Sequence, residues 1–306
     1  MSLTTWFLRK LFEKNDNKRD AGLETPADVS RRDNIAYGPD KRWQLLDVYR
    51  PKDVPGPLPV IVSVHGGGWT YGDKDRYQYY CMDLARRGFA VVNFTYRLAP
   101  EHKFPAGIED TCAAFAWVAQ HPAGFDLNRL FAVGDSAGAH MLAIYCALCG
   151  DGAYARRLGV RAPLGPEGKP FLPRAVGLNC GIYQINLRDG SASQMTRGLM
   201  KALLPEKGSE EELVLVNPLP WLNGSFPRAF IMTANRDPLA GPPAQKALAQ
   251  RLAELNVPFV DRTYGDDAMP LDHVFHCDVR SSAARLCNDD ECRFFLSAQP
   301  GAQGRP

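Results

Sequence analysis

A short apolar strand, Leu130 to Val133 (LFAV), runs without a break into Gly134-Asp135-Ser136-Ala137-Gly138, and an apolar helix continues from there through Leu148. A strand that turns this sharply into a helix puts the serine backbone in a strained region. The turn survives only where a sheet and a packed helix hold it from both sides. The two glycines let neighbouring backbone pass where a Cβ would clash. This one turn therefore calls for an α/β architecture with the serine exposed at the top of a sheet.

The rest of the chain keeps the same rhythm. Strand-like runs fall at 43–49 (WQLLDVY), 59–64 (PVIVSV), 89–96 (FAVVNFTY), 175–180 (AVGLNC), 229–233 (AFIMT) and 258–264. Helix-like stretches fall between them at about 76–87, 106–120 and 243–255, and the tail from Asn288 reads as a closing helix with an asparagine N-cap. Strands alternating with helices predict a mostly parallel, doubly wound sheet. With 306 residues, 45% of them hydrophobic, one large domain over 1–306 can bury a continuous core. Residues 181–227 break the rhythm with Pro-containing loops and a helical piece near 196–204, as a lid or binding loop would. The Gly-, Pro- and Arg-rich stretch 150–173 reads as an exposed connection.

Composition removes several classes of function. The formal charge is +2 with 23% charged residues and no long run of one sign, so no nucleic-acid partner is expected. The eight cysteines lie mostly in apolar runs and read as buried, reduced thiols. Cys146 and Cys149 form a CxxC inside an apolar helical pattern, with no second Cys or His pair at metal spacing, so neither a metal nor an organic cofactor is expected. The N-terminal MSLTTWFLRKLFEKNDNKRD is too short in apolar length for a signal-peptide core or for stable membrane insertion. It reads as an amphipathic helix, packed on the domain as part of a cap in preference to lying on a membrane surface. Together these features predict a cytoplasmic protein.

The chemistry centres on the turn. Gly134 to Gly138 matches G-x-S-x-G in its required strand–turn–helix setting, which makes Ser136 the candidate nucleophile. Upstream, His65-Gly66-Gly67-Gly68-Trp69 follows the PVIVSV strand directly. Consecutive glycines expose backbone N–H groups to an oxyanion with no side chain in the way. Gly67, Gly68 and the N–H of Ala137 are the expected donors. His65 precedes the nucleophile and reads as a structural residue of the loop. A base is expected after the nucleophile and an acid before the base. Of six histidines, only His273 and His276 lie beyond the helix that follows Ser136. His273, soon after the last strand, is preferred over His276. Asp237 follows the AFIMT strand at once and can orient that imidazole. Asp266, Asp267 and Asp272 cluster in the histidine loop itself and read as its solvation.

These residues resemble the hormone-sensitive-lipase-like family of α/β-hydrolases. HGGGW, YRLAPEHKFPA (Tyr96 to Ala106), GDSAG and DPL (Asp237 to Leu239) look like that family's motifs in its order, over about residues 35–280. The resemblance implies the α/β-hydrolase fold, a helical cap built from 1–34 and 181–227, and a Ser136–Asp237–His273 triad with Gly67, Gly68 and Ala137 as oxyanion donors. It implies structural roles for Glu101 and Asp110. Two departures stand out: the turn continues GDSAGAH where GDSAGG is familiar, placing His140 one helical turn past Ser136, and the histidine loop reads DHVFH where HGF is usual.

The expected activity is that of a serine carboxylesterase working through an acyl-enzyme on a small ester. Trp69 and Tyr71, on the donor loop, are the expected pocket residues, ahead of Phe104, Tyr183 and Trp221. A capped pocket suggests acyl groups from acetyl to hexanoyl. Alternatives with the same machinery are a carbohydrate acetyl esterase and an arylformamidase. A non-catalytic binding module is disfavoured because Ser, Asp, His and the glycine loop are all retained. A homodimer is compatible with the sequence.

Overall fold

The computed structural model describes residues 3–188, 190 and 192–297. In chain order the elements are α1 (Leu3–Asp20), β1 (Val29–Ala36), β2 (Leu45–Pro51), β3 (Leu58–Val64), α2 (Lys74–Arg86), β4 (Ala90–Phe94), α3 (Ala106–Gln120), β5 (Phe125–Asp135), α4 (Ala137–Gly150) and α5 (Gly152–Leu158). They continue with β6 (Ala175–Asn179), α6 (Gln194–Leu203), α7 (Glu210–Val216), β7 (Arg228–Ala234), α8 (Pro242–Glu254), β8 (Phe259–Tyr264) and α9 (Ser282–Ser297). Among the described residues, eight strands form one sheet in the order β1-β2-β4-β3-β5-β6-β7-β8. β1 and β2 pair antiparallel, as do β2 and β4, and all other pairs are parallel.

The inner strands are apolar on both faces because helices cover both. In β3, Val60, Val62 and Val64 join one core cluster with α3 and α4, while Ile61 points into the other cluster with α2 and α9. β5 repeats the pattern, with Leu130 and Ala132 on one side and Phe131 and Val133 on the other. This period-2 split is why these strands read as continuous apolar runs rather than alternating ones. Phe131 stacks on Phe295 of α9 at 5.0 Å, closing the second layer. Nearly all of α4 is buried, which explains its uniformly apolar sequence.

Two sequence expectations need correction, and one strand was not foreseen. That strand is β1: its centre, Arg31-Arg32-Asp33-Asn34, is polar and mostly exposed because it is an edge strand with a register shift between Arg32 and Ile35. Part of the supposed exposed connection 150–173 is helix α5, capped by Asp151 and burying Tyr154 and Leu158. Asn288 does not cap the last helix, which begins at Ser282; it is buried within α9, donating to Asp83 and to the His276 carbonyl. All eight cysteines are buried and free. No helix among the described residues is long and apolar enough to cross a membrane.

Candidate active site

β3 sends its chain to β4 on one side and, later, to β5 on the other. The crevice beyond the carboxyl ends of β3 and β5 is thus the point where strand order reverses, the place where open α/β sheets bind ligands. Val64 and Gly134 are register partners there, so the loop after β3 and the turn after β5 leave the sheet side by side. Ser136 sits on that turn at φ 51°, ψ −118°, a backbone state that costs about 1–3 kcal/mol for a residue with a Cβ. Its N–H donates to the Asn179 carbonyl at 2.9 Å and its carbonyl accepts from the His140 N–H at 3.1 Å, so β6 and α4 hold the strain in place. A Cβ on Gly138 would lie 2.0 Å from the Val64 carbonyl oxygen, which is why α4 can start so close to β3 only with glycine there.

The His65–Trp69 loop curls against this turn. Gly67 has φ 114°, and a Cβ on it would fall 2.1 Å from the Tyr71 carbonyl oxygen. Its carbonyl accepts from the Thr70 and Tyr71 N–H groups at 3.2 and 3.0 Å, turning the chain back. Among the described residues, the N–H groups of Gly67 and Gly68 meet no acceptor, while both residues face the same cavity as Ser136. The Gly66 N–H is different: it donates to the Tyr77 hydroxyl at 3.0 Å, and that hydroxyl donates to Asp135 at 2.7 Å. Burial pushes the Asp135 carboxyl up to about 6, against the opposing pull of the Tyr77 bond and of nearby His273. Ala137 is the first residue of α4 and is wholly buried beneath the turn.

Across the cavity, His273 Nδ1 lies 2.7 Å from Asp237 Oδ2. Asp237 Oδ1 accepts from the Leu239 and Ala240 N–H groups at 2.8 and 2.9 Å. Burial works to raise the Asp237 carboxyl, but the His273 bond and the two backbone donors outweigh it and hold it below the usual carboxylate range. His276, the competing histidine, is fully buried, edge-on to Tyr80 at 5.1 Å, and burial pushes it down to about 3. The structure therefore pairs Asp237 with His273 and sets His276 in the core.

Ser136, His273, Gly67, Gly68, Trp69 and Tyr71 all line one cavity of about 570 Å³. Two walls come from the stretches expected to form the cap, 1–34 and 181–227, although their lining residues were not singled out. One is α1, which contributes Phe12, Asp16 and Arg19; their i, i+4, i+7 spacing on one helical face is the sequence signal that could have found them. Arg19 bonds Asp16 at 2.9 Å and Asp20 at 2.7 Å, and Tyr71 donates to Asp16 at 2.9 Å. Burial raises the Asp16 carboxyl in spite of Arg19. The other wall comes from the 181–227 segment and mixes apolar Ile182, Ile185, Met195 and Leu199 with polar Gln184, Asn186, Ser193 and Thr196. Residues 1, 2, 189 and 191 of the two expected cap stretches lie outside the described residues. Phe104, Tyr183 and Trp221 do not line this cavity; Trp221 stacks on Tyr154 at 4.5 Å.

A family model described as an α/β-hydrolase fold matches residues 61–276. That span holds the glycine loop, the serine turn, Asp237 and both histidines of the last loop. The chain belongs to the hormone-sensitive-lipase-like family of α/β-hydrolases. The chain is 42% identical over 109 residues to the carboxylic ester hydrolase LipN of Mycobacterium tuberculosis, covering 34% of this chain and 29% of that protein. It is 44% identical over 112 residues to the carboxylesterase NlhH of the same organism, covering 34% of each. The matched stretches thus span about a third of these relatives. Among solved structures, esterase B from Lactobacillus rhamnosis superposes with a TM-score of 0.86 over 97% of both chains at 23% identity, a likeness of fold.

Within this fold, the motif around Arg97 has a mechanical role. Asp110 is buried and accepts from the Arg97 N–H at 2.7 Å, from the Arg97 guanidinium at 2.9 Å and from Gln44 at 2.7 Å. Glu101 pairs with Arg9 of α1 at 2.7 Å, and this bond is the main cause that lowers its carboxyl. His65 is fully buried, stacked on Tyr96 at 4.0 Å, and burial pushes it down to about 4, so it stays neutral in the loop. Among the described residues, two groups each gather three potentially metal-ligating side chains: Cys180 with Asp237 and His273, and Asp135 with His276 and Cys277. In the second, Tyr77 already bonds Asp135, and burial drives the Cys277 thiol far above its ordinary value, toward the protonated form that binds metals poorly.

Proposed function

We propose that this protein is a serine carboxylesterase that hydrolyses esters of short acids, acetyl to hexanoyl, through an acyl-enzyme on Ser136. The observation that carries the reading is the Asp237–His273 bond of 2.7 Å facing the cavity that also holds Ser136 and the glycine loop. With Asp237 accepting from Nδ1–H, the Nε2 lone pair of His273 is available to take the Ser136 hydroxyl proton as Oγ attacks the ester carbonyl. The developing oxyanion is met by the N–H groups of Gly67, Gly68 and Ala137. His273 then returns the proton to the leaving alcohol, which departs and leaves Ser136 acylated. Water, deprotonated by His273, attacks the acyl carbonyl, and collapse of the second tetrahedral intermediate releases the acid and restores Ser136.

The names of the relatives, a carboxylic ester hydrolase and a carboxylesterase, favour the same reaction class. The apolar side chains of Ile182, Ile185, Met195 and Leu199 suit a short acyl chain, and about 570 Å³ is room for a small-molecule ester. Trp69 and Tyr71 belong to the pocket in this reading. A second reading has one observation in its favour. The Asp16, Arg19 and Tyr71 wall is polar, as a carbohydrate acetyl ester or an arylformamide would require. Eight free, buried cysteines favour a cytoplasmic setting.

The test is turnover of p-nitrophenyl acetate, butyrate, hexanoate and palmitate, with acetylated xylose and N-formylkynurenine in parallel. The short esters are expected to be hydrolysed, palmitate hardly at all, and Ser136→Ala to abolish both turnover and fluorophosphonate labelling. Folded protein that turns over none of the six compounds would refute the proposal; faster turnover of the sugar or the formamide would select the second reading.

A further inference from the structure

His140 is buried on α4, one helical turn beyond Ser136. Each of its ring nitrogens meets a different part of the protein. Nδ1 lies 3.2 Å from the indole nitrogen of Trp69, and Nε2 lies 2.7 Å from the Val216 carbonyl oxygen. An indole N–H only donates and a carbonyl only accepts, so the two bonds together fix the neutral imidazole with its proton on Nε2. Burial pushes His140 down to about 4, which keeps that form throughout the neutral range.

Both partners lead to the site. Trp69 follows Gly67 and Gly68 directly, stands at φ 59°, and meets the His140 ring edge-on at 5.1 Å. Other bonds hold the backbone of that loop, such as the Ala99 N–H to the Trp69 carbonyl at 2.9 Å, but His140 is the acceptor for the indole. Val216 ends α7, where helix carbonyls lack partners within the helix, and His140 supplies one. The next residue, Asn217, bonds the Ile185 N–H at 2.6 Å and the Ile185 carbonyl at 2.9 Å, and Ile185 lines the cavity.

We propose that His140 is a positioning residue that holds Trp69, and with it the Gly67 and Gly68 N–H groups, in register with Ser136, and ties that register to the 181–227 segment. The inference rests on reading Ser136 as the nucleophile and the glycine N–H groups as its oxyanion donors. Such donors act in the transition state more than in the bound ester, and only where they are preorganised. A loop that drifts should therefore lose kcat and spare KM.

The experiment compares wild type with His140→Phe, which keeps a ring and removes both bonds, and His140→Gln, which retains a donor and an acceptor. Active sites are counted by fluorophosphonate titration. His140→Phe is expected to lower kcat on p-nitrophenyl butyrate about 10- to 100-fold, with KM within about 3-fold, and His140→Gln to fall between it and wild type. Amide hydrogen exchange of residues 66–70 should quicken in the same order. An unchanged kcat per titrated site, a loss confined to KM, or unchanged exchange in the loop would each overturn the proposal. If His140→Phe does not fold, Trp69→Phe removes the indole donor alone and carries the same expectations. Exchange needs no turnover, so a loop that quickens in the variants while the wild type shows no esterase activity would sink the ester-hydrolase reading and leave the hold of His140 on the loop standing.

Discussion

Asp237 holds His273 with one carboxylate oxygen, at 2.7 Å, and its own loop with the other, through the Leu239 and Ala240 N–H groups at 2.8 and 2.9 Å. The acid is thus fixed before the imidazole arrives, and the imidazole inherits its orientation. Asp237→Asn keeps the shape but can present an amide donor to Nδ1, favouring the tautomer that puts the proton on the nitrogen needed as base. We expect kcat on p-nitrophenyl butyrate to fall by about 10³- to 10⁴-fold with little change in melting temperature. A loss below 10-fold in folded protein would contradict the role given to Asp237.

The turn, the glycine loop and the parallel core were readable in the sequence because each is a local demand. Gly138 has no room for a Cβ and β3 is apolar on both faces, and both facts leave their mark within a few residues. The polar edge strand β1 was missed because it needs neither apolar periodicity nor a packed second face. The helix α1 was expected as part of the cap, but its lining residues were missed for another reason. Phe12, Asp16 and Arg19 read as an ordinary helical face, and only tertiary packing turns that face toward Ser136. The preference for His273 over His276 could be reasoned from its place soon after the last strand, but the burial of His276 against Tyr80 could not.

Leu199 should set the length of the acyl group. Its side chain is buried at the cavity wall, and a Cβ on Gly68 would lie 3.2 Å from its methyl carbons, so it closes the space beside the donor loop. Leu199→Ala is expected to raise the ratio of kcat/KM for octanoate over butyrate by roughly 10-fold, the scale of a methylene or two in an apolar pocket. An acyl series on the variant checks it; an unchanged profile would remove Leu199 from the acyl wall.

Arg9 fastens α1 over the site. Its guanidinium donates to the Thr70 carbonyl at 2.6 Å, to the Ala99 carbonyl at 2.9 Å and to Glu101 at 2.7 Å. Removing it leaves α1 joined to the donor loop mainly through Tyr71 and Asp16. Arg9→Ala should loosen α1 by about 1–3 kcal/mol, the scale of lost charge-assisted hydrogen bonds. Hydrogen exchange across residues 5–20 should quicken and KM should rise, while labelling of Ser136 by a small fluorophosphonate persists. Unaltered exchange in α1 would show that other contacts dock it.

Glu291 should make the protein less stable as the pH rises. It is buried in α9, accepting from Asn179 at 2.9 Å and from Tyr80 at 3.1 Å, and Asn179 in turn holds the Ser136 backbone. Burial pushes its carboxyl up to about 7, partly opposed by those two bonds. Between the ordinary glutamate value near 4.5 and about 7, the folded state keeps a proton that the unfolded state has released. Stability therefore falls through that window, by at most about 3 kcal/mol at about 1.4 kcal/mol per pH unit. Glu291→Gln preserves an acceptor for Asn179 and cannot ionise. Urea unfolding should find the variant more stable than wild type at pH 8, with the advantage gone below pH 4.5. A difference that does not change between those two pH values would mean that Glu291 ionises normally in the fold.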